Sequence, residues 1–170
     1  MVRLVLAVTF TLALSSGVLA QESEQRNITS LTAAEVASIA EAMGWSVGET
    51  IDDGDFVIAL TLPSGMPVYF EGISCASDDV PGCPEWELRS QYGVGSADRA
   101  SRLADEISYR WLDDWSEGEV LGVSRMDFLY GGVSRQHLEA TFQVFETLVD
   151  ETTAKVFPCG LPVDGQTPDC

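Results

Sequence analysis

Four cysteines are the residues whose types and spacing first suggest chemistry in this chain. Cys75 and Cys83 enclose a short acidic loop with Pro and Gly, and Cys159 and Cys170 enclose a second loop rich in turn-forming residues. Reduced cysteines in such loops bind zinc or exchange disulfides, whereas oxidised pairs cross-link the chain. The spacings fit neither a pair of Cys-x-x-Cys zinc knuckles nor a Cys-x-x-Cys redox motif. The state of the four thiols therefore depends on the compartment in which the protein resides.

The first twenty residues indicate that compartment. Residues 1–20 read MVRLVLAVTFTLALSSGVLA, with one cation at Arg3, an apolar core from Leu4 to Leu14 and small residues up to Ala20. This arrangement is typical of a cleaved secretory signal peptide. The apolar core is shorter than the ~20 residues that a membrane-spanning helix needs. We therefore predict a protein exported to the periplasm or the extracellular space, without a membrane span after signal cleavage.

Export favours disulfides over free thiols, because an even number of cysteines in an oxidising compartment usually forms a disulfide framework. Four cysteines allow three pairings. We favour Cys75 with Cys83 and Cys159 with Cys170, since each pair is close in sequence and encloses residues that form turns. These four cysteines are the only functional residues that the sequence predicts, and their predicted role is structural.

Other candidates for chemistry are better explained by structure. His137, the only histidine, is predicted in the first turn of the last helix, where a solvated side chain is the ordinary case. Ser134 is predicted to cap that helix, and its surroundings lack the final glycine of a Gly-x-Ser-x-Gly nucleophile motif. Residues 52–55, Asp-Asp-Gly-Asp, lack the spacing and terminal glutamate of a calcium loop, and we expect a hairpin turn there. We therefore predict no catalytic, cofactor-binding or metal-binding residues.

Charge limits the class of partner. The chain has 9 Lys and Arg residues against 27 Asp and Glu residues, a formal charge of −18 at pH 7. Nucleic acids and anionic membrane surfaces are not expected as partners, because both require clustered cations. Adjacent carboxylates carry little information about hydrolytic chemistry in so acidic a chain; examples are Asp113 with Asp114 and Glu117 with Glu119.

The first half of the mature chain contains the signals of one helix and four strands. Residues 21–30 form a polar lead, and residues 31–157 form the predicted domain. Thr32 and Glu35 predict a capping box, and Gly44 ends the helix that it begins. Alternating or β-branched stretches bounded by turn residues then predict strands; these are Trp45–Ile51, Phe56–Leu62, Met66–Ser74 and Glu85–Val94.

The second half predicts two longer helices and two strands. Ser96 begins a helix whose apolar face continues through Trp111 and Trp115 to a stop at Gly118. Strands Glu119–Ser124 and Arg125–Tyr130 follow, and Ser134 begins the last helix, which leads to a disulfide-clipped tail at residues 158–170. The order α-β-β-β-β-α-β-β-α predicts an α+β domain with an antiparallel sheet and helices packed on one face.

These elements resemble the YbjN-type family of bacterial regulators of sensory transduction. The resemblance rests on Met43-Gly44-Trp45 after the first helix, on Cys75 and Cys83 at the end of a strand, and on the Gly-Gly-Val-Ser stretch at residues 131–134. It covers roughly residues 28–157. It implies a fold similar to that of type III secretion chaperones, and it implies no catalytic residues.

The expected function is an exported, non-enzymatic binding or regulatory module that recognises a protein or peptide partner, with a homodimer as a further possibility. Two alternatives stay open: a metal-dependent or acidic-cluster hydrolase, and a structural dimer subunit.

Overall fold

A computed structural model of the chain describes residues 27–53, 55–75, 81–109 and 113–161. The predicted signal peptide, residues 21–26 of the polar lead and residues 162–170 of the tail lie outside these ranges. The described residues form three helices and six strands. In chain order they are α1 (Ala33–Ala42), β1 (Ser46–Asp53), β2 (Asp55–Thr61), β3 (Pro67–Ile73), β4 (Glu85–Gly93), α2 (Ala97–Ile107), β5 (Asp113–Glu117), β6 (Val120–Phe128) and α3 (Arg135–Val156).

The six strands form one open sheet in the order β1-β2-β3-β4-β6-β5, and every neighbouring pair is antiparallel. The predicted α+β class with an antiparallel sheet is thus confirmed. Hairpins join β1 through β4, whereas α2 carries the chain from β4 to the sheet edge. There β5 forms a hairpin with β6, which returns to pair with β4 along nine residue pairs.

The core lies on one face of the sheet, because β2, β3 and β4 alternate between buried and more exposed residues. Phe142 of α3 packs on this face, with its ring centroid 5.6 to 6.0 Å from those of Trp45, Phe70 and Trp86. The helix α1 contacts β1 and β2. The helix α2 contacts β5 and β6, and its Arg99 donates a 2.6 Å hydrogen bond to the carbonyl oxygen of Val156 at the end of α3.

The predicted helix starts are confirmed in atomic detail. The Thr32 hydroxyl accepts a hydrogen bond from the Glu35 amide, and the Glu35 carboxylate accepts one from the Thr32 amide, which together make the capping box. Ser134 accepts a hydrogen bond from the His137 amide at the start of α3. Each side-chain oxygen satisfies an amide that the helix leaves without a partner in its first turn.

The middle of the chain corrects two sequence predictions. The helix that begins after Ser96 ends at Ile107 and does not reach Gly118, and Trp115 lies in the strand β5. Residues 120–128 form one continuous strand, where two strands were predicted. Trp115 is four residues from Trp111 and fits a helical repeat, and the sequence at 113–117 has no apolar alternation that would indicate a strand. Pairing along five positions of β6 decides for the strand.

Candidate functional site

The structure contains the predicted disulfide between Cys75 and Cys83, which joins the end of β3 to the start of β4. Cys83 is fully buried, and its sulfur packs against Gly72 of β3. A β carbon at Gly72 would collide with this sulfur and with the ring of Phe56. The bond therefore cross-links the chain at the border of the core, with the Cys83 sulfur buried and Cys75 partly exposed.

The disulfide loop also holds the beginning of the domain. Leu31 and Cys83 exchange two backbone hydrogen bonds of 2.9 and 2.8 Å. Ile28 and Val133 exchange two more, of 2.7 and 3.0 Å. The segment before α1 is thereby attached at Leu31 to the disulfide loop and at Ile28 to the loop that leads into α3. Cys159 is disulfide-bonded as well, but Cys170 lies outside the described residues and the predicted pairing of these two cysteines stays a prediction.

The other residues considered as candidates for chemistry do not come together in one site. The side chain of His137 is exposed in the first turn of α3, and the Ser134 hydroxyl serves as the helix cap. Glu117 ends β5 and Glu119 lies in the turn before β6, both exposed. Across the described ranges, no three His, Cys, Asp or Glu side chains come close enough together to hold a metal ion. No described helix has the length and apolar character needed to cross a membrane.

A surface that the sequence analysis did not single out is the sheet face opposite the core, called here the open face. It consists of the outward residues of β2, β3, β4 and the second half of β6. The described residues include six exposed large hydrophobic side chains, and five of them lie on this face or beside it. Those five are Ile51, Tyr69, Met126, Phe128 and Tyr130.

Strand register arranges the open face in rows, because directly paired residues project from the same side of a sheet. One row runs from Val57 through Glu71 and Glu87 to Met126. The neighbouring row runs from Ile73 through Glu85 to Phe128. In both rows carboxylates lie in the centre and apolar side chains lie on either side. We call Glu71, Glu85 and Glu87 the acidic stripe.

Aromatic residues border this stripe at the end of β6. The rings of Phe128 and Tyr130 stack with their centroids 6.1 Å apart, and the two side chains are 50% and 68% exposed. The Tyr130 hydroxyl donates a 2.6 Å hydrogen bond to the Glu85 carboxylate. This bond to a carboxylate raises the pKa of Tyr130 above its ordinary value, because the hydroxyl proton is held by the acceptor. We call Met126, Phe128 and Tyr130 the apolar rim.

The acidic stripe is only partly neutralised by the protein. Glu71 pairs with Arg89 at 3.2 Å. Glu87 is directly opposite Glu71 across the strands and forms no ion pair with any described residue. Like charges opposite each other destabilise a sheet. The open face therefore carries one carboxylate, that of Glu87, whose charge no ion pair among the described residues offsets.

Two shallow pockets lie on the helix-bearing side. One has a volume of about 250 Å³ and is lined by Arg125, His137, Ala140, Thr141 and Val144. Its Arg125 is in an ion pair with Asp127 at 3.0 Å. The other, of about 310 Å³, lies between α1 and α3 beside Glu146, whose carboxylate accepts a 2.9 Å hydrogen bond from the indole of Trp45. In both pockets these charged groups already have intramolecular partners.

Alternation along the chain was the signal that could have revealed the open face. Met126, Phe128 and Tyr130 are spaced by two residues, as are Glu85 and Glu87. What the sequence lacked was the strand order, which places β6 next to β4 and so brings the two sets together.

Comparisons with protein-family models, with curated proteins and with solved structures find no match to this chain. The resemblance to the YbjN-type family therefore stays a prediction.

Proposed function

We propose that this protein is an exported, non-enzymatic binding module that recognises a protein or peptide partner through the open face of its sheet. The observation that carries the proposal is the concentration of exposed Ile51, Tyr69, Met126, Phe128 and Tyr130 on or beside that one face. Large exposed apolar side chains that lie together, rather than scattered singly, mark interaction surfaces in soluble proteins. A regulatory role of the YbjN type and a chaperone-like fold belong to the same proposal.

The geometry offers less support for the alternatives. A hydrolase of the acidic-cluster type would need converging carboxylates in a concave site. The acidic stripe instead lies on a sheet surface, and its members are held by Arg89, Tyr130 and Ser74 or face solvent. A structural dimer subunit would need to cover the open face with a second copy, which would bring the same carboxylates with it.

Site-specific photo-crosslinking tests the proposal. A photoreactive phenylalanine analogue is placed at Phe128 in the full chain, and a matched variant carries it at Val144, which is 46% exposed on α3. Both variants are expressed in the native host and irradiated. We expect one discrete adduct from position 128 that is missing from position 144 and that mass spectrometry identifies as a different protein. Adducts that are the same at both positions, or an adduct with a second copy only, would contradict the proposal.

A further inference from the structure

We infer that the partner segment recognised by the open face is cationic and apolar, with Lys or Arg residues beside aromatic or aliphatic ones. This inference rests on the proposed function and adds the chemistry of the partner to it. Its basis is the pattern of the two rows, in which the carboxylates of β4 lie between apolar residues of β2 or β3 on one side and of β6 on the other.

The spacing between neighbouring strands allows a single extended segment to contact both the carboxylates and the apolar side chains. Neighbouring strands of a sheet are about 4.8 Å apart. The side chains of Glu71 and Glu87 therefore project from adjacent backbones at about this distance, and the side chain of Met126 projects from the next strand. A lysine or arginine above the acidic stripe reaches both carboxylates. Apolar side chains next to it in the same segment then contact Met126 and Phe128 on one side or Val57 and Ile73 on the other.

Charge decides among possible occupants. Glu87 has no cation within ion-pair distance among the described residues, and Glu85 is held by the hydroxyls of Tyr130 and Ser74 rather than by a cation. A second copy of this chain would present 27 acidic residues against 9 cationic ones. A cationic segment relieves the repulsion on the stripe, whereas a second copy increases it. Complementary potentials of this kind determine which partners a surface accepts.

Glu85 also couples the acidic stripe to the apolar rim. Its carboxylate holds the Tyr130 hydroxyl at 2.6 Å, and the Tyr130 ring lies against Phe128. The ring pair is therefore already oriented at the border of the stripe. An aromatic or aliphatic residue of the partner meets a fixed apolar surface directly beside the carboxylates, which lowers the entropy cost of binding.

Binding of synthetic peptides to the mature full chain tests the inference. The probe is a fluorescent 12-residue peptide in which lysines alternate with Leu and Phe. One control peptide has Glu in place of Lys, and another has Ser in place of Leu and Phe. We expect anisotropy titrations to show saturable binding of the first peptide only, weakened severalfold when NaCl rises from 50 to 500 mM. Equal binding of all three peptides, or of the acidic one, would overturn the inference.

Variants assign the binding to the surface. Glu87→Gln is expected to lower the affinity for the cationic peptide roughly two- to fivefold, the range for one exposed ion pair. Phe128→Ser is expected to lower this affinity by about tenfold. The matched controls are Glu151→Gln and Val144→Ser on α3, both exposed positions away from the open face, and they should leave the affinity unchanged. Equal losses in test and control variants would contradict binding at the open face.

The outcomes separate the inference from the proposed function. If position 128 cross-links to a partner whose contacting segment is acidic or neutral, the proposed function stands and the inferred chemistry is wrong. If the cationic peptide does not bind and position 128 forms no specific adduct, both are wrong. An adduct with a second copy only, without peptide binding, would make the open face a self-association surface and overturn both.

Discussion

Gly122 of β6 has no side chain because the indole ring of Trp115 lies directly over its α carbon. The two residues are paired across β5 and β6, and a β carbon at position 122 would overlap the indole. Trp115 thereby packs the edge strand β5 onto its neighbour. This contact adds side-chain packing to the backbone pairing that places the tryptophan in a strand rather than at the end of α2.

Replacing Gly122 with alanine should lower the free energy of unfolding by about 1 to 3 kcal/mol, the usual cost of forcing extra volume into a packed site. Chemical denaturation followed by circular dichroism measures it. Gly93→Ala in β4 is the matched control, because a β carbon there meets no atom within 4 Å. In a Trp115→Ala background the cost of Gly122→Ala should vanish. A cost that persists in this background would contradict the proposed contact.

Tyr92 gives a pH-dependent test of the core. Its buried hydroxyl donates a 3.0 Å hydrogen bond to the carbonyl oxygen of Val149 on α3. Burial raises the pKa of Tyr92 to about 12, chiefly because the phenolate would lose its solvation. The folded state therefore retains this proton more strongly than the unfolded state. Stability from this group is complete below pH 10 and is lost as the pH rises toward 12.

Comparison of the wild type with Tyr92→Phe isolates this effect. The substitution removes the hydrogen bond that Tyr92 donates to Val149 and the longer one, of 3.4 Å, that it accepts from the Thr153 hydroxyl, and it should cost about 1 kcal/mol at pH 7. Between pH 10 and 12 the wild type should lose about 2 kcal/mol that the variant does not lose. Urea denaturation at a series of pH values measures both proteins. A difference between them that stays constant from pH 8 to 12 would contradict the assignment.

At the level of elements, the disulfide links two neighbouring strands to a segment from the beginning of the domain. It joins β3 to β4, and through the backbone bonds of Cys83 it holds Leu31 beside the start of β4. The segment that enters α1 is thus anchored where the open face ends. The cross-link keeps the beginning of the domain in register with β4, which carries two members of the acidic stripe.

Replacing Cys75 and Cys83 with serine should lower the free energy of unfolding by about 2.5 kcal/mol, because the unfolded chain gains the entropy of an open loop. Hydrogen exchange should show the local consequence. We expect the amides of Leu31 and Cys83 to exchange faster through local opening. The amides in the middle of α3 should still exchange only through global unfolding. Unchanged protection at Leu31 would show that the segment is held without the cross-link.

Elements that depend on residues close together in sequence could be predicted, whereas those that depend on strand pairing could not. The starts of α1 and α3 were predictable, because the capping hydroxyls act within three residues of themselves. The cysteine pair was predictable for the same reason. The end of α2 was not, because residues 113–117 carry no strand periodicity of their own and only their pairing with β6 makes them a strand. The open face depends on the order of strands, and that order is not a local property.

At the scale of the whole molecule, net charge and the open face act together. A formal charge of −18 keeps copies of the chain apart and draws in cationic partners at low ionic strength. On the open face, apolar side chains that would otherwise favour self-association surround carboxylates that oppose it. The same carboxylates that oppose self-association on this face would then select the partner.

Methionine methyl groups offer the most direct test of the claim that the open face is the recognition surface. Met126 is 46% exposed on that face, Met66 is 3% exposed in the core, and Met43 lies on the helix side against α3. In the mature chain labelled with ¹³C-methyl methionine, the cationic peptide or the cross-linked partner is titrated while methyl spectra are recorded. We predict that the Met126 resonance shifts and broadens in a saturable way while those of Met43 and Met66 stay in place. Movement of the Met43 resonance with an unchanged Met126 resonance would contradict it.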